Sequence, residues 1–133
     1  MKNPRVPNRP PRDPNDVHPS FLQHALGIFQ ELARKAPASN YISYNFGNAY
    51  SEIAAAHVAW ASKPSLTLDA QREHWREARD WYRKGLDVWL ELQRQGKLGG
   101  DEIGEPDRLP KEIAKCDKSI IRLQSLGDRV SKQ

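Results

Sequence analysis

The stretch Phe46-Gly47-Asn48-Ala49-Tyr50 decides the fold, because it lies within a long segment that carries almost no charge. That segment runs from about Asn40 to Ser62, and Glu52 is its only charged residue. Its aromatic and aliphatic residues fall on nearly every side of a helix, and such a helix is normally central in its domain. Small residues such as Gly47 would let neighbouring helices approach closely. We therefore predict a central second helix over this segment.

Working outward, three further segments have apolar residues at three- and four-residue steps, the spacing of an amphipathic helix. The first runs from about Pro19 to Ala36, capped by Asp16 or Ser20. The third runs from Thr67 or Asp69 to about Gln95, and the fourth from about Pro106 or Asp107 to Leu126. The stripes are Leu22, Ala25, Phe29, Leu32 and Ala36 in the first helix, Trp75, Ala78, Tyr82, Leu86, Trp89 and Leu92 in the third, and Leu109, Ile113, Cys116, Ile120 and Leu123 in the fourth.

Glycine and proline mark where these helices end. Pro37 follows the first helix, Gly96 stops the third, and Gly127 is expected to stop the fourth. No segment alternates with period two, as a half-buried strand would. The sequence therefore predicts an all-α protein of about four helices, arranged as antiparallel helix pairs.

The two ends of the chain differ in composition from this helical part. Residues 1–16 are rich in proline and arginine and poor in apolar residues, which predicts a disordered basic arm. Residues 17–127 form the predicted helical domain, and residues 128–133 a disordered tail. The net charge of +4 comes largely from the arm and the tail. A nucleic-acid binder would more often carry a basic stripe on its folded body, so we do not expect nucleic acid as a partner.

Composition also limits the chemistry. The single cysteine, Cys116, excludes an intramolecular disulfide and a multi-cysteine zinc site. The chain has no apolar run of the about 20 residues that a membrane-spanning helix needs, and no apolar stretch typical of a signal peptide. We therefore expect a soluble, cytoplasmic protein without a membrane partner.

No pattern typical of catalysis or metal binding is present. The four histidines do not share metal-ligand spacing, and His57 is expected to be a core or groove residue with a backbone partner. Cys116 lies on an apolar stripe, which favours a buried thiol over a nucleophile. The four tryptophans have helical spacing and are expected mainly in the core, with Trp81 off the main stripe. The sequence thus predicts no enzyme, no metal and no cofactor.

Several of these residues match a repeat signature. The signature is Trp-x2-Leu-Gly-x2-Tyr, then Ala-x3-Phe, then Pro, and the chain resembles in this the tetratricopeptide (TPR) family, with Phe46 in the leucine place. The matching residues are Ala25, Phe29, Pro37, Phe46, Gly47, Tyr50, Ala78 and Tyr82. Ser43 and Leu90 depart from the pattern, and Ala25 and Ala78 lie farther apart than the usual repeat of about 34 residues. The resemblance implies a right-handed stack of helix-turn-helix repeats.

A more specific resemblance covers roughly residues 20–126. The stretch from His74 to Leu92, followed by Gly96-Lys97-Leu98 and residues 112–117, resembles the C-terminal end of TPR regions attached to bacterial serine/threonine protein kinases. The chain has no glycine-rich loop, no His-Arg-Asp and no Asp-Phe-Gly. The resemblance therefore implies a sensor or scaffold part without the catalytic domain, which binds a protein or peptide partner.

In the TPR family the first helix of a pair lines the binding groove, which directs attention to the second helix here. Asn45, Asn48 and Glu52 share one face of it, and asparagine offers both a donor and an acceptor to a peptide backbone. The alternative is that these residues face water or a neighbouring helix. The candidate partner-binding residues are Tyr41, Tyr44, Asn45, Asn48, Glu52 and Trp81.

Two other functions remain open at this point. A short repeat fragment can leave its stacking face exposed, so the protein could be a self-associating helical module. It could also be a small ligand-binding bundle or enzyme that uses the interior around His57 and Trp60. The identity of the partner, the oligomeric state, the role of the arm and whether a longer kinase-linked protein contains this chain are all left open.

Overall fold

The computed structural model describes residues 18–35 and 40–131, and within them it contains α-helices and no strand. A single 3₁₀ turn at Gly100–Glu102 interrupts the loop between the last two helices. The all-α prediction is confirmed for these residues. The helices are α1 (Pro19–Arg34), α2 (Asn40–Ala61), α3 (Leu68–Arg94) and α4 (Glu105–Ser131).

Each helix packs against the next one along the chain, in antiparallel fashion. Between α2 and α3, residue numbers rise on one helix as they fall on the other along the whole contact. The same order holds between α3 and α4. The contacts that define it are His57–His74, Tyr50–Trp81 and Tyr44–Trp89 for the first pair, and Arg72–Gln124 and Arg79–Asp117 for the second.

Side-chain caps fix the starts of two helices. The Thr67 hydroxyl accepts a hydrogen bond from the Ala70 backbone N–H at 3.1 Å, as predicted for the start of α3. At α1 the cap is His18, whose Nδ1 accepts from the Ser20 backbone N–H at 3.1 Å. The sequence suggested Ser20 or Asp16 instead. An imidazole nitrogen supplies the same acceptor as the usual cap oxygens, which is why histidine serves here.

The fourth helix ends later than predicted. Gly127 was expected to stop it at Leu126, but α4 continues to Ser131, so residues 128–131 are helical. A glycine ends a helix when it adopts a positive φ. Gly96, which follows α3, does so with a φ of 71°, whereas Gly127 does not. The arm predicted at residues 1–16 and the last two residues of the predicted tail lie outside the described residues.

The core lies where α2, α3 and α4 meet. Trp89 is fully buried, and its ring crosses α2 at Gly47. A Cβ at Gly47 would lie 2.4 Å from the nearest atom of that ring, closer than two non-bonded carbon atoms can approach. Gly47 is therefore required by the packing of Trp89. The main cluster of buried residues comprises Ala54, Ala78, Tyr82, Trp89, Leu92, Leu109 and Cys116.

Helix α1 is less enclosed than the other three. It packs on α2 through Phe29, whose ring lies 4.8 Å from that of Phe46, and Leu26 is buried. Leu32, predicted on the buried stripe, is 65% exposed, and that prediction is wrong. The covered row of α1 is instead Leu22, Leu26, Phe29 and Ala33, of which Leu26 is buried and the others are half-buried. No helix in the described ranges is both long enough and apolar enough to cross a membrane.

Candidate functional site

The structure uses Tyr44, a predicted groove residue, to hold the loop that follows α3. Its hydroxyl donates to the Lys97 carbonyl at 2.9 Å and accepts from the Gly99 backbone N–H at 2.9 Å. Its ring packs edge-on against Trp89, with 5.3 Å between ring centroids. Both polar functions of the hydroxyl are therefore engaged inside the protein, which makes Tyr44 a structural residue of the loop.

Asn48 lies one turn after Tyr44 and faces the same loop. Its Nδ2 is 3.5 Å from the Glu102 Oε2, at the outer limit of a hydrogen bond, and the side chain is exposed. Tyr41 precedes Tyr44 in α2, and its side chain is outside what the structure describes.

Trp81 lies half-buried on the opposite flank, between α2 and α3. Its Nε1 donates to the Glu77 Oε1 at 3.2 Å, and the Lys84 ammonium lies 4.5 Å from its ring centroid. The ring also packs against Tyr50 at 5.7 Å. Trp81 therefore ends a row of aromatic rings that crosses three helices. The row consists of Phe29, Phe46, Tyr50 and Trp81.

Asn45 and Glu52 lie elsewhere, beside a groove between α1 and α2. The groove has a volume of about 400 Å³ and a largely apolar lining, and we call it the α1–α2 groove. The predicted face of Asn45, Asn48 and Glu52 is thus divided, because Asn45 and Glu52 border this groove while Asn48, like the nearby Tyr44, faces the loop after α3. The remaining lining residues are Leu22, Ala25, Leu26, Phe29, Ala49 and Ile53.

Next to this groove, α1 exposes a row of apolar side chains. Phe21 is 70% exposed, Ile28 54% and Leu32 65%, and Ala25 is exposed between them. We call these four residues the α1 stripe. Their spacing of four, three and four residues places them on one face of the helix. Sequence reasoning missed this surface because it assigned Ala25 and Leu32 to the buried face. The signal was that α1 carries two apolar rows, since each residue of the α1 stripe lies one position before a residue of the row Leu22, Leu26, Phe29 and Ala33.

A second cluster joins three helices at one end of the molecule. His57 is 5% exposed, and its Nδ1 lies 2.9 Å from the Nδ1 of His74, so one ring must donate a proton to the other. The His57 Nε2 is 3.7 Å from the Glu77 Oε1 and has no hydrogen-bond partner. His18 packs edge-on against Trp60 at 4.6 Å, and Trp60 lies 6.3 Å from His74.

Burial controls the protonation of this cluster. Removal from water, and then the neighbouring His74 and His18, lower the pKa of His57 from 6.5 to about 4. Removal from water also lowers the pKa of His74, against the opposite effect of Glu77 and Glu73. His57 is therefore neutral in the folded protein at neutral pH, and its Nδ1 donates to or accepts from the His74 Nδ1 according to its tautomer.

The histidine partner of His57 was not foreseen, because a backbone partner was expected. His57 and His74 are separated by a turn in the sequence, but they face each other once α2 and α3 pair in antiparallel register. Within the described part of the chain, no three histidine, cysteine or acidic residues are arranged to hold a metal ion. The buried thiol predicted at Cys116 is confirmed: burial raises its pKa from 9.0 to about 11, which keeps it protonated.

Comparison with known proteins adds no identification. No family model matches the chain, and no match was found among curated proteins or among solved structures.

Proposed function

We propose that this protein is a non-catalytic interaction module that binds an amphipathic helix of a protein partner along the α1 stripe and the α1–α2 groove. The observation that carries the proposal is the exposure of Phe21, Ile28 and Leu32 on one helix face beside an apolar groove. Contiguous exposed apolar surface rimmed by polar groups is typical of interaction sites. We propose a helix as the occupant because an amphipathic helix presents apolar side chains every three or four residues along one face. Such a face can lie in an apolar groove between two helices.

The polar border of the groove suggests the chemistry of that helix. Glu52 is the only charged residue of α2, and it lies beside the apolar lining. A lysine or arginine on the partner would complement it at the rim. The Asn45 side chain can donate hydrogen bonds to the partner's polar flank through its NH2 group and accept them through its carbonyl oxygen. The proposed ligand is therefore a helix with an apolar stripe and a basic edge.

The antiparallel helix pairs support a tetratricopeptide-like organisation, and we propose a right-handed stack in a cytoplasmic scaffold or sensor. The observations also favour binding over catalysis. His57 is buried against His74, and the Cys116 thiol is buried and protonated. Neither residue presents a reactive group to the α1–α2 groove.

A model peptide tests the proposal. An amphipathic leucine/lysine helical peptide is titrated into the ¹⁵N-labelled full chain, and backbone amide shifts are followed by NMR. We expect saturable shifts confined to α1 and to α2 around Asn45 and Glu52. Leu32→Glu should abolish binding. The matched control is Ile121→Glu, because Ile121 is 66% exposed on α4, far from α1 in the packing order.

Retention of binding in Ile121→Glu together with its loss in Leu32→Glu supports the site. Shifts spread evenly over all four helices, or no saturation at all, would overturn the proposal. Circular dichroism of both variants checks that the added charge has not unfolded the protein.

A further inference from the structure

We infer that the occupant of the α1 stripe is a second copy of this chain, with the two α1 helices packed antiparallel. This inference rests on the proposed function, since it names the partner of the same surface. It follows from the order of the residues in the α1 stripe and from the charges beside them.

The α1 stripe has a spacing that reads the same in both directions. From Phe21 to Leu32 the steps are four, three and four residues. Two such helices related by a twofold axis therefore align all four positions at once. Phe21 faces Leu32 of the second copy, and Ala25 faces Ile28 of the second copy. The small Ala25 leaves room for the branched Ile28, so each layer combines side chains of different shape. A self-complementary patch of this kind is what a twofold interface requires.

Charged and polar neighbours favour the antiparallel direction over the parallel one. His24 and Glu31 are both exposed and lie seven residues apart on the same edge of the α1 stripe. Antiparallel pairing brings His24 next to Glu31 of the second copy, and it does so twice. Parallel pairing would put these two edges on opposite sides of the interface and lose both contacts, and it would align the two helix dipoles unfavourably.

An existing contact is compatible with this arrangement. Arg34 donates to the Glu31 Oε1 at 2.7 Å within α1. A carboxylate accepts through two oxygens, so Glu31 can bind Arg34 and an imidazole of the second copy together.

The size of the surface sets the strength of the pairing. A stable interface buries about 800 Å² on each partner. Four side chains on one helix of 16 residues supply only part of that area, and the adjacent α1–α2 groove adds to it through Ala25. The dimer is therefore weak, and we expect it to form only as the protein concentration rises.

Sedimentation velocity of the full chain over a wide concentration range tests the dimer. We expect the weight-average mass to rise from monomer towards dimer. Leu32→Glu should keep the protein monomeric throughout, and Ile121→Glu should dimerise like the wild type. Dimerisation that Leu32→Glu leaves unchanged would overturn the inference, because the contact would then lie elsewhere.

Cross-linking tests the register. Phe21→Cys and Leu32→Cys are prepared separately, and oxidation is followed by gel electrophoresis. An equimolar mixture should form the mixed disulfide several-fold faster than either variant alone forms its own. Equal cross-linking within each single variant would indicate parallel helices and overturn the antiparallel pairing. The native Cys116 is buried and provides the background rate.

The two proposals fail separately. A protein that stays monomeric but still binds the leucine/lysine peptide at α1 overturns the second copy and retains the interaction module. A protein that neither dimerises nor binds the peptide overturns both.

Discussion

Helix α1 and the core formed by α2, α3 and α4 differ in how completely they bury their apolar residues. In the core, Trp89 is fully buried and fits closely against Gly47. In α1, by contrast, only Pro19 and Leu26 are buried, and the α1 stripe is left open to solvent. The difference indicates that the two regions have different roles. We expect the core to supply most of the stability of the fold, while α1 retains an apolar surface that a partner can cover.

The largest expected change in stability comes from disturbing the close packing of Trp89 against Gly47 in the core. Gly47→Ala places a methyl group 2.4 Å from an atom of the Trp89 ring, and the indole is enclosed on all sides. Either the ring or α2 must move. We expect the free energy of unfolding to fall by about 3 kcal/mol, at the upper end of what overpacking costs. Urea denaturation followed by tryptophan fluorescence measures it.

The matched control is the same substitution in α1. Nothing lies within 4 Å of a Cβ at Gly27, which is inside the helix. Gly27→Ala should therefore leave stability unchanged or raise it by up to about 1 kcal/mol, through better helix propensity. Equal destabilisation by both substitutions would show that α1 is packed as tightly as the core, and the comparison would fail.

The second effect concerns the buried histidine pair, which ties α2 to α3. Folded His57 has a pKa of about 4, against 6.5 for an exposed histidine. The unfolded chain therefore takes up a proton at a higher pH than the folded protein does. Stability is full above pH 6.5 and declines as the pH falls towards 4. The loss amounts to about 2 to 3 kcal/mol for a shift of this size. Denaturation at a series of pH values measures it.

A substitution isolates this contribution from other acid effects. His57→Phe removes the titrating group and should flatten the decline between pH 6.5 and 4. His24→Gln, at an exposed position of α1, should retain the wild-type profile at a protein concentration that keeps the chain monomeric. If His57→Phe declines as steeply as the wild type, the acid sensitivity originates elsewhere. The two variants thus compare the pH dependence of stability for a substitution in the core with that for a substitution in α1.

The helices themselves were predictable, since apolar spacing and Thr67 mark them in the sequence alone. The ends of the helices were harder to predict. Gly127 would stop α4 only if its φ were positive, and the presence of a glycine does not by itself determine its φ. Leu32 shows a second limit. Two adjacent apolar rows on α1 both fit a helical period, and only the packing against α2 decides which row is covered.

The candidate site was harder to predict than the fold. Asn45 and Glu52 were expected on a binding face, and they do border a groove. Tyr44 was named as a candidate near that face, but its role depends on Lys97 and Gly99, which lie more than fifty residues later. The His57–His74 contact likewise depends on the register of two helices. Contacts between distant residues require the tertiary structure, and no local pattern encodes them.

The smallest expected effect separates a structural Tyr44 from a partner-binding one. Tyr44→Phe keeps the ring against Trp89 but removes the donor to Lys97 and the acceptor for Gly99. We expect a loss of about 1 to 2 kcal/mol and faster hydrogen exchange at the Gly99 amide, because a part-buried N–H loses its partner. Binding of the leucine/lysine peptide should stay as in the wild type, since the α1–α2 groove is unchanged. Weaker peptide binding with an unchanged exchange rate at Gly99 would instead place Tyr44 in the binding surface and extend that surface from α1 into the core.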